Sequence, residues 1–126
     1  MRTKVSSITL LAGILLILVL RGTTAKSATI YVPDEYSTIQ GAVDEANSGD
    51  TIIVRDGNYT ENVNVNKEHL TIRSENGPDV TIVQASNADD HVFEVTTNYV
   101  NIKGFTIKGA TFSLCGGIYL DRKSVV

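Results

Sequence analysis

The feature that most constrains this chain is a set of three short apolar strands that recurs in the same order with a long period. The offset between matching strands is 25 to 30 residues. The matched pairs are Leu70-Thr71-Ile72 with Val100-Asn101-Ile102, Val80-Thr81-Ile82-Val83 with Phe105-Thr106-Ile107, and Phe93-Glu94-Val95 with Ile118-Tyr119-Leu120. Self-similarity at this period is typical of a solenoid, here one whose coils have three sides.

The lengths and connections of the strands favour stacked coils over hairpins. Each strand has only three to seven residues, and no crossover helix separates one from the next. Strands this short do not stabilise a hairpin alone, and the one hairpin-type signal is a predicted turn at Asp56-Gly57-Asn58. A β-sandwich, the alternative fold, needs longer and more even strands. The sequence therefore predicts an all-β, right-handed parallel β-helix of about three coils.

One helix is predicted ahead of the coils. Ile39, Ala42, Val43 and Ala46 follow helical spacing and form a narrow apolar stripe. Ser37 and Gln40 have the spacing of a capping box, with Ser37 as the N-cap. Two of the four apolar residues are alanines, so this helix buries little surface and is expected to act as a lid on the solenoid.

The first 25 residues have the layout of a secretory leader. A basic start at Arg2 and Lys4 precedes an apolar run over 8–20, and small residues follow at Thr23 and Ala25. We predict cleavage after Ala25; an uncleaved N-terminal anchor is the alternative, because residues 5–20 could just span a membrane if tilted. The predicted divisions are a leader over 1–25, an N-terminal strand and capping helix over 26–50, and coils over 51–126. The localisation expected is secreted, periplasmic or cell-surface.

Residues 30–65 resemble the opening of pectin-lyase-like β-helix proteins. The resemblance rests on Ile30-Tyr31-Val32-Pro33, on residues 37–43, on Ala46-Asn47-Ser48-Gly49-Asp50 with the strand after it, and on residues 56–63. In that superfamily a helix caps the N-terminal end of the solenoid. The rest of the chain, through Leu120, resembles archaeal and bacterial cell-surface β-helix proteins of the periplasmic copper-binding (NosD-like) type. Enzymatic members carry their catalytic groups on middle coils that this chain lacks, so the resemblance implies a chain truncated at its C-terminus, an N-terminal fragment.

Composition argues against several classes of function. The chain has 11 basic and 14 acidic residues, and since three of the basic ones lie in the leader, the remainder is clearly acidic. An acidic domain repels phosphate backbones, so we expect no nucleic-acid partner. Cys115 is the only cysteine and excludes an intrachain disulfide. His69 and the Asp89-Asp90-His91 cluster are interpreted as solvated corners, so no metal, cofactor or catalytic residue is predicted.

Three functional hypotheses remain open. The first is a non-catalytic β-helix module of the cell envelope with a structural or carbohydrate-contacting role, in which tyrosines on neighbouring coils stack against sugars. The second is the N-terminal part of a polysaccharide-active lyase, esterase or epimerase whose active coils are missing. Glycoside hydrolysis needs a pair of carboxylates, and among Glu61, Glu75, Asp79 and Glu94 no pair stands out, because solvent exposure explains each of them. The third is a copper-binding maturation factor. We expect no enzymatic activity from the chain as it stands.

Two further expectations concern the surface of the protein. Asn58-Tyr59-Thr60 is an acceptor sequon for N-glycosylation at Asn58. The last coil leaves a row of unpaired backbone groups, which predicts edge-to-edge self-association. The expected partners are cell-envelope polysaccharide or surface-layer components, with the membrane contacted only through an uncleaved leader.

Overall fold

The computed structural model describes residues 24–111 and 117–120, which form ten short strands and one helix. In chain order these elements are β1 (Thr29–Val32), α1 (Ile39–Glu45), β2 (Thr51–Val54), β3 (Gly57–Thr60), β4 (Val63–Val65), β5 (Thr71–Ser74), β6 (Thr81–Gln84), β7 (Phe93–Val95), β8 (Asn101–Lys103), β9 (Thr106–Lys108) and β10 (Ile118–Leu120). The predicted leader lies almost entirely outside this part of the chain, so its cleavage after Ala25 stays a prediction. Cys115 also lies outside it. Among the described residues no helix is long and apolar enough to cross a membrane.

The strands stack into three parallel sheets, which together make a β-solenoid of about four turns. Sheet I has the order β1-β2-β5-β8, sheet II the order β3-β6-β9, and sheet III the order β4-β7-β10. Each coil contributes one strand to each sheet: β2-β3-β4 form the first coil, β5-β6-β7 the second and β8-β9-β10 the third, while β1 adds one more level to sheet I. Every pairing is parallel. The predicted parallel β-helix is therefore confirmed.

Two of the three repeat offsets read from the sequence are also the register of the coils. Thr71 pairs with Asn101 at the predicted offset of 30, and Phe93 pairs with Ile118 at the predicted offset of 25. The offset of 25 predicted for the strands of sheet II was wrong by one residue, because Val83, and not Ile82, points inward and pairs with Ile107. The turn predicted over Asp56-Gly57-Asn58 was wrong, because β3 already begins at Gly57. The Gly57 N–H donates to the carbonyl of Val80 on the next coil, so the Asp-Gly pair continues into sheet II instead of reversing the chain.

The interior is filled by columns of apolar side chains stacked along the solenoid. Ile30, Ile52, Ile72 and Ile102 occupy one in-register column of sheet I, and each is buried. Sheet III contributes columns that begin at Val63 and Val65, while the Phe93 ring lies 5.9 Å from that of Phe105. Alternation along each strand sends every second residue inward, which is why strands of three or four residues suffice. Full burial of one such side chain is worth roughly 1.5–3 kcal/mol.

The corner that leads into sheet I uses the same backbone conformation in successive coils. Gly49, His69 and Tyr99 each precede a sheet I strand by two residues, and their φ angles are +93°, +59° and +58°. Glycine adopts this left-handed conformation freely, whereas histidine and tyrosine do so at a cost. The tight corner therefore holds the His69 and Tyr99 side chains at equivalent positions on neighbouring coils.

Helix α1 is held at its N-terminus by two residues that the sequence analysis did not select as caps. The N-cap is Thr38, whose hydroxyl accepts a hydrogen bond from the Gly41 N–H, so the prediction of Ser37 as N-cap was wrong by one residue. The Ile39 and Gln40 N–H groups donate instead to the Glu61 carboxylate, at 2.9 and 3.0 Å. Since these groups are satisfied by the first coil, the helix begins at Ile39 and leaves only the Gly41 N–H for a local cap.

Gln40 does not act as the second half of a capping box, because its side chain bonds to the edge of sheet III. Its Oε1 accepts from the Asn64 N–H at 2.7 Å, and its Nε2 donates to the Asn64 carbonyl at 3.2 Å. Asn64 lies in β4, the last strand of sheet III at this end. The Gln40 amide thus takes the place of a neighbouring strand, and it blocks an edge that could otherwise pair with another chain.

Two charged side chains complete this end of the fold. The Lys67 ammonium donates to the carbonyls of Asp44 and Ala46, at the C-terminus of α1, where a positive charge is favourable. The buried Asp50 carboxylate accepts from the Ala28 N–H at 2.7 Å and from the Asn47 N–H at 2.8 Å. Asp50 therefore ties the segment before β1 to the turn that follows α1.

Candidate functional site: exposed aromatic pairs and the Asn58 strand

An exposed tyrosine stacks on a histidine at the corner between sheets III and I. Tyr99 is 62% exposed, and its ring lies 4.7 Å from the His69 ring with an angle of 9° between the ring planes. The two residues occupy equivalent corners of neighbouring coils, so the ring separation follows from the spacing of the coils. His69 covers only one face of the tyrosine. The sequence interpretation of His69 as a merely solvated corner missed this pair, although the 30-residue offset that aligns Leu70 with Val100 also aligns His69 with Tyr99.

A second pair lies at the other end of sheet III. Tyr119 is 42% exposed and stacks on His91, with ring centroids 5.0 Å apart and an interplanar angle of 20°. Within the sheet Tyr119 is in register with the half-buried Glu94. This surface therefore combines an aromatic ring with a carboxylate that accepts hydrogen bonds. The repeat in the sequence does not predict the His91–Tyr119 stack, because it aligns Tyr119 with Glu94, whereas His91 lies two residues before β7 begins at Phe93.

The other three tyrosines are used within the fold. The Arg55 guanidinium lies over the Tyr31 ring, 4.9 Å from its centroid, and also pairs with Asp34 and Glu75. The hydrogen bond with Asp34 raises the pKa of Arg55 above its ordinary value. Tyr36 packs against the core. Tyr59 donates to the Arg55 carbonyl, and burial raises the pKa of its hydroxyl. Tyr99 and Tyr119 are thus the two strongly exposed tyrosines, but both belong to the third coil, so they do not form the predicted row of tyrosines on neighbouring coils.

The candidate carboxylates and metal ligands are placed as follows. Glu61 binds the N-terminus of α1 and Glu75 pairs with Arg55, so both have structural partners. Asp79 is exposed in the segment before β6. Within the described ranges, no group of three or more histidine, cysteine, aspartate or glutamate side chains could hold a metal ion. In the predicted Asp89-Asp90-His91 corner, the Asp90 carboxylate accepts from the His91 backbone N–H.

The sequon lies on the outer face of β3, at the start of sheet II. Asn58 and Thr60 are both exposed, while Tyr59 between them is half-buried and packs against the core. In the described part of the chain the Asn58 side chain makes no hydrogen bond. Its in-register neighbour on the second coil is Ile82, a half-exposed apolar residue.

The end of the solenoid opposite α1 contains a cavity of about 300 Å³. Ile102, Phe105, Ile107 and Ile118 form its apolar walls, and Lys103 and Gly104 complete the lining. β8, β9 and β10 are each the last strand of their sheet at this end. The cavity is therefore the continuation of the apolar interior at the level of the third coil.

Comparison with known proteins gives one similarity. The chain is 34% identical over 118 residues to a cell surface glycoprotein of Methanothermus fervidus, and the alignment covers 90% of this chain but 18% of that protein. The chain thus spans less than a fifth of the length of this relative. No protein-family model matches the chain, and no solved structure matches it. The pectin-lyase-like and NosD-like assignments accordingly stay predictions, while the β-helix itself is established by the strand pairing.

Proposed function

We propose that this chain is a structural β-helix module of the cell surface. The observation that carries the proposal is its similarity to a cell surface glycoprotein over 90% of its length, since that alignment takes in the coils as well as the capping helix. The fold supports the proposal because two of its carboxylates join segments that lie far apart in the chain: Asp50 and Glu61 accept hydrogen bonds from backbone groups 22 residues away. A module of this kind presents three flat sheets and lateral corners to its surroundings.

The finer part of the proposal is that the module contacts carbohydrate of the envelope through Tyr99 and Tyr119. Exposed aromatic rings bind the apolar faces of sugars, and a nearby carboxylate accepts hydrogen bonds from sugar hydroxyls. Both tyrosines are fixed by stacking on a histidine, which lowers the entropy that a ligand would otherwise have to remove. The carboxylate beside Tyr119 is Glu94.

Location is tested by expressing the full-length tagged protein in its natural host and treating intact cells with a protease. Loss of the tag signal from intact cells, with a cytoplasmic marker preserved, is the expected result. A protein that is cleaved only after lysis would overturn the cell-surface role.

Carbohydrate contact is tested by co-sedimentation of purified protein with the insoluble envelope polysaccharide of the same host. We expect Tyr99→Ala with Tyr119→Ala to reduce the bound fraction at least tenfold. Tyr99→Phe with Tyr119→Phe is the matched control, because it keeps both rings and should bind as the parent does. Equal binding by the alanine and parent proteins, or no binding by either, would refute the carbohydrate role and leave the structural role standing.

A further inference from the structure

The outer face of sheet II places both polar residues of the sequon side by side. Asn58 and Thr60 are two residues apart in β3, so they share one face of the strand, and both are exposed. Tyr59 anchors the same strand from the other face through its bond to the Arg55 carbonyl. A group attached to the Asn58 side-chain nitrogen would therefore extend into solvent without any change in the fold.

The surface next to Asn58 is apolar where an outer face is normally polar. Ile82 is in register with Asn58 on the second coil and is half-exposed, and Val80, just before β6, is 44% exposed. Val80 is fixed beside β3, because its carbonyl accepts the Gly57 N–H at 2.9 Å. Contact of adjacent valine and isoleucine side chains with water is unfavourable, and covering them with another group would stabilise the protein.

We propose that Asn58 carries an N-linked glycan whose first sugar residues pack over Ile82 and Val80. The inference rests on the cell-surface location proposed above, because the modification occurs on exported chains. Sugars are amphipathic, with C–H faces that contact aliphatic side chains and hydroxyls that stay in water. The glycan thus covers the apolar patch and also adds a bulky polar group to sheet II.

The chemistry is a group transfer from a lipid-phosphate-linked oligosaccharide. The Asn58 Nδ2 forms a bond to C1 of the first sugar, and the bond between C1 and the phosphate oxygen breaks. The phosphate leaves with the electron pair, and one proton of the Nδ2 amide is lost to base. Asn58 is exposed in the folded protein, so the attached sugar lies in solvent and does not oppose folding.

The modification is tested on full-length protein purified from its natural host, by mass spectrometry of the tryptic peptide that spans residues 56–67. We expect a mass increment corresponding to a series of sugar residues. Asn58→Gln and Thr60→Ala should abolish the increment, whereas Thr60→Ser keeps the sequon and should retain it. Asn64→Gln, in the same peptide but outside a sequon, should also retain it. An unmodified peptide, or an increment that survives Asn58→Gln, would overturn the proposal.

The packing is tested by thermal unfolding of the same proteins. When both proteins are purified from the natural host, the Tm of the parent should be about 4 °C or more above that of Asn58→Gln. The two should melt together when both are made in cells that lack glycosylation, and the difference should shrink when Ile82 is replaced by threonine. A glycan without any such difference would refute the packing. The protease test on intact cells separates the two levels: protein that is at the surface but unmodified refutes only the glycan, and protein absent from the surface refutes the proposed function.

Discussion

Replacing Glu61 by alanine removes the carboxylate that accepts hydrogen bonds from the Ile39 and Gln40 N–H groups. A helix of seven residues is not stable alone, so α1 depends on its contacts with the coils. Loss of an N-cap costs about 0.5–2 kcal/mol, and loss of a negative charge at a helix N-terminus costs about 0.3–1 kcal/mol. Because Glu61 is half-buried, water replaces part of its role. We therefore expect Glu61→Ala to lower the free energy of unfolding by about 2 kcal/mol.

Urea unfolding followed by circular dichroism measures this loss. Glu61→Gln keeps one acceptor oxygen without the charge and should lose about half as much. Glu68→Ala removes an exposed glutamate from the corner just after β4 and should change stability by less than about 0.5 kcal/mol. If Glu61→Ala is no less stable than Glu68→Ala, the carboxylate does not hold the helix and our account of this end of the fold is refuted.

Four further outcomes follow from single features of the fold. Thr81→Val should raise the free energy of unfolding by about 1 kcal/mol, because the buried Thr81 hydroxyl has no hydrogen-bond partner among the described residues and valine has the same shape. Burial raises the pKa of the Tyr59 hydroxyl in the folded protein above its value in the unfolded chain. The contribution of this shift to the free energy of unfolding is therefore complete below the unfolded-state pKa and is lost as pH rises through the folded-state pKa. Tyr59→Phe should therefore flatten the alkaline fall in stability, measured by urea unfolding from pH 8 to 12. Gly104→Ala should cost about 2 kcal/mol, since φ is +81° and a Cβ atom would overlap the Ser74 hydroxyl. Sedimentation velocity should show self-association that rises with concentration, and Ile107→Lys, in the apolar end cavity, should weaken it.

Two of these outcomes have a matched comparison. Thr71→Val alters a half-buried threonine of sheet I and should bring no gain comparable to that of Thr81→Val. Gly77→Ala meets the same kind of positive φ, at +100°, but has open space around the new Cβ atom, so it should cost less than Gly104→Ala. The outcomes that would contradict these four predictions are a loss of stability in Thr81→Val, parallel pH profiles of stability for Tyr59→Phe and the parent, an equal loss of stability in the two glycine variants, and a protein that stays monomeric at all concentrations.

The register of sheets I and III could be predicted from the sequence because their apolar residues repeat along the chain. Every third strand must place an inward apolar residue over an inward apolar residue, and this constraint aligns Ile72 with Ile102 and Phe93 with Ile118. The same alignment places His69 over Tyr99, although the residues that flank His69 in the sequence give no sign of an aromatic partner. In sheet II the similar pairs Thr81-Ile82 and Thr106-Ile107 gave a register that was wrong by one residue, since the inward positions are Val83 and Ile107.

The ends of the helix could not be predicted in this way. Ser37 and Gln40 satisfy the local rule for a capping box, but the Glu61 carboxylate, 22 residues from Ile39, outcompetes it. The Gln40 side chain bonds to the backbone of Asn64 at the edge of sheet III, a contact that exists only once the first coil has formed. The His91–Tyr119 stack is likewise outside the strand register. These are tertiary contacts, and local spacing carries no information about them.

The parallel in-register stacking of coils, on which every proposal here depends, is tested most directly by disulfide cross-linking. In a Cys115→Ser background, cysteines replace Thr71 and Asn101, which face outward and pair across β5 and β8. Paired strands lie about 4.8 Å apart, within the Cα separation of a disulfide. Cysteines at 71 and 103 lie on the same face but about 8 Å apart on the diagonal, beyond that range. Mild oxidation should consume both thiols of the 71/101 protein, within one chain, and leave those of the 71/103 protein free. Equal cross-linking of the two proteins, or preference for 71/103, would contradict the register and with it the solenoid.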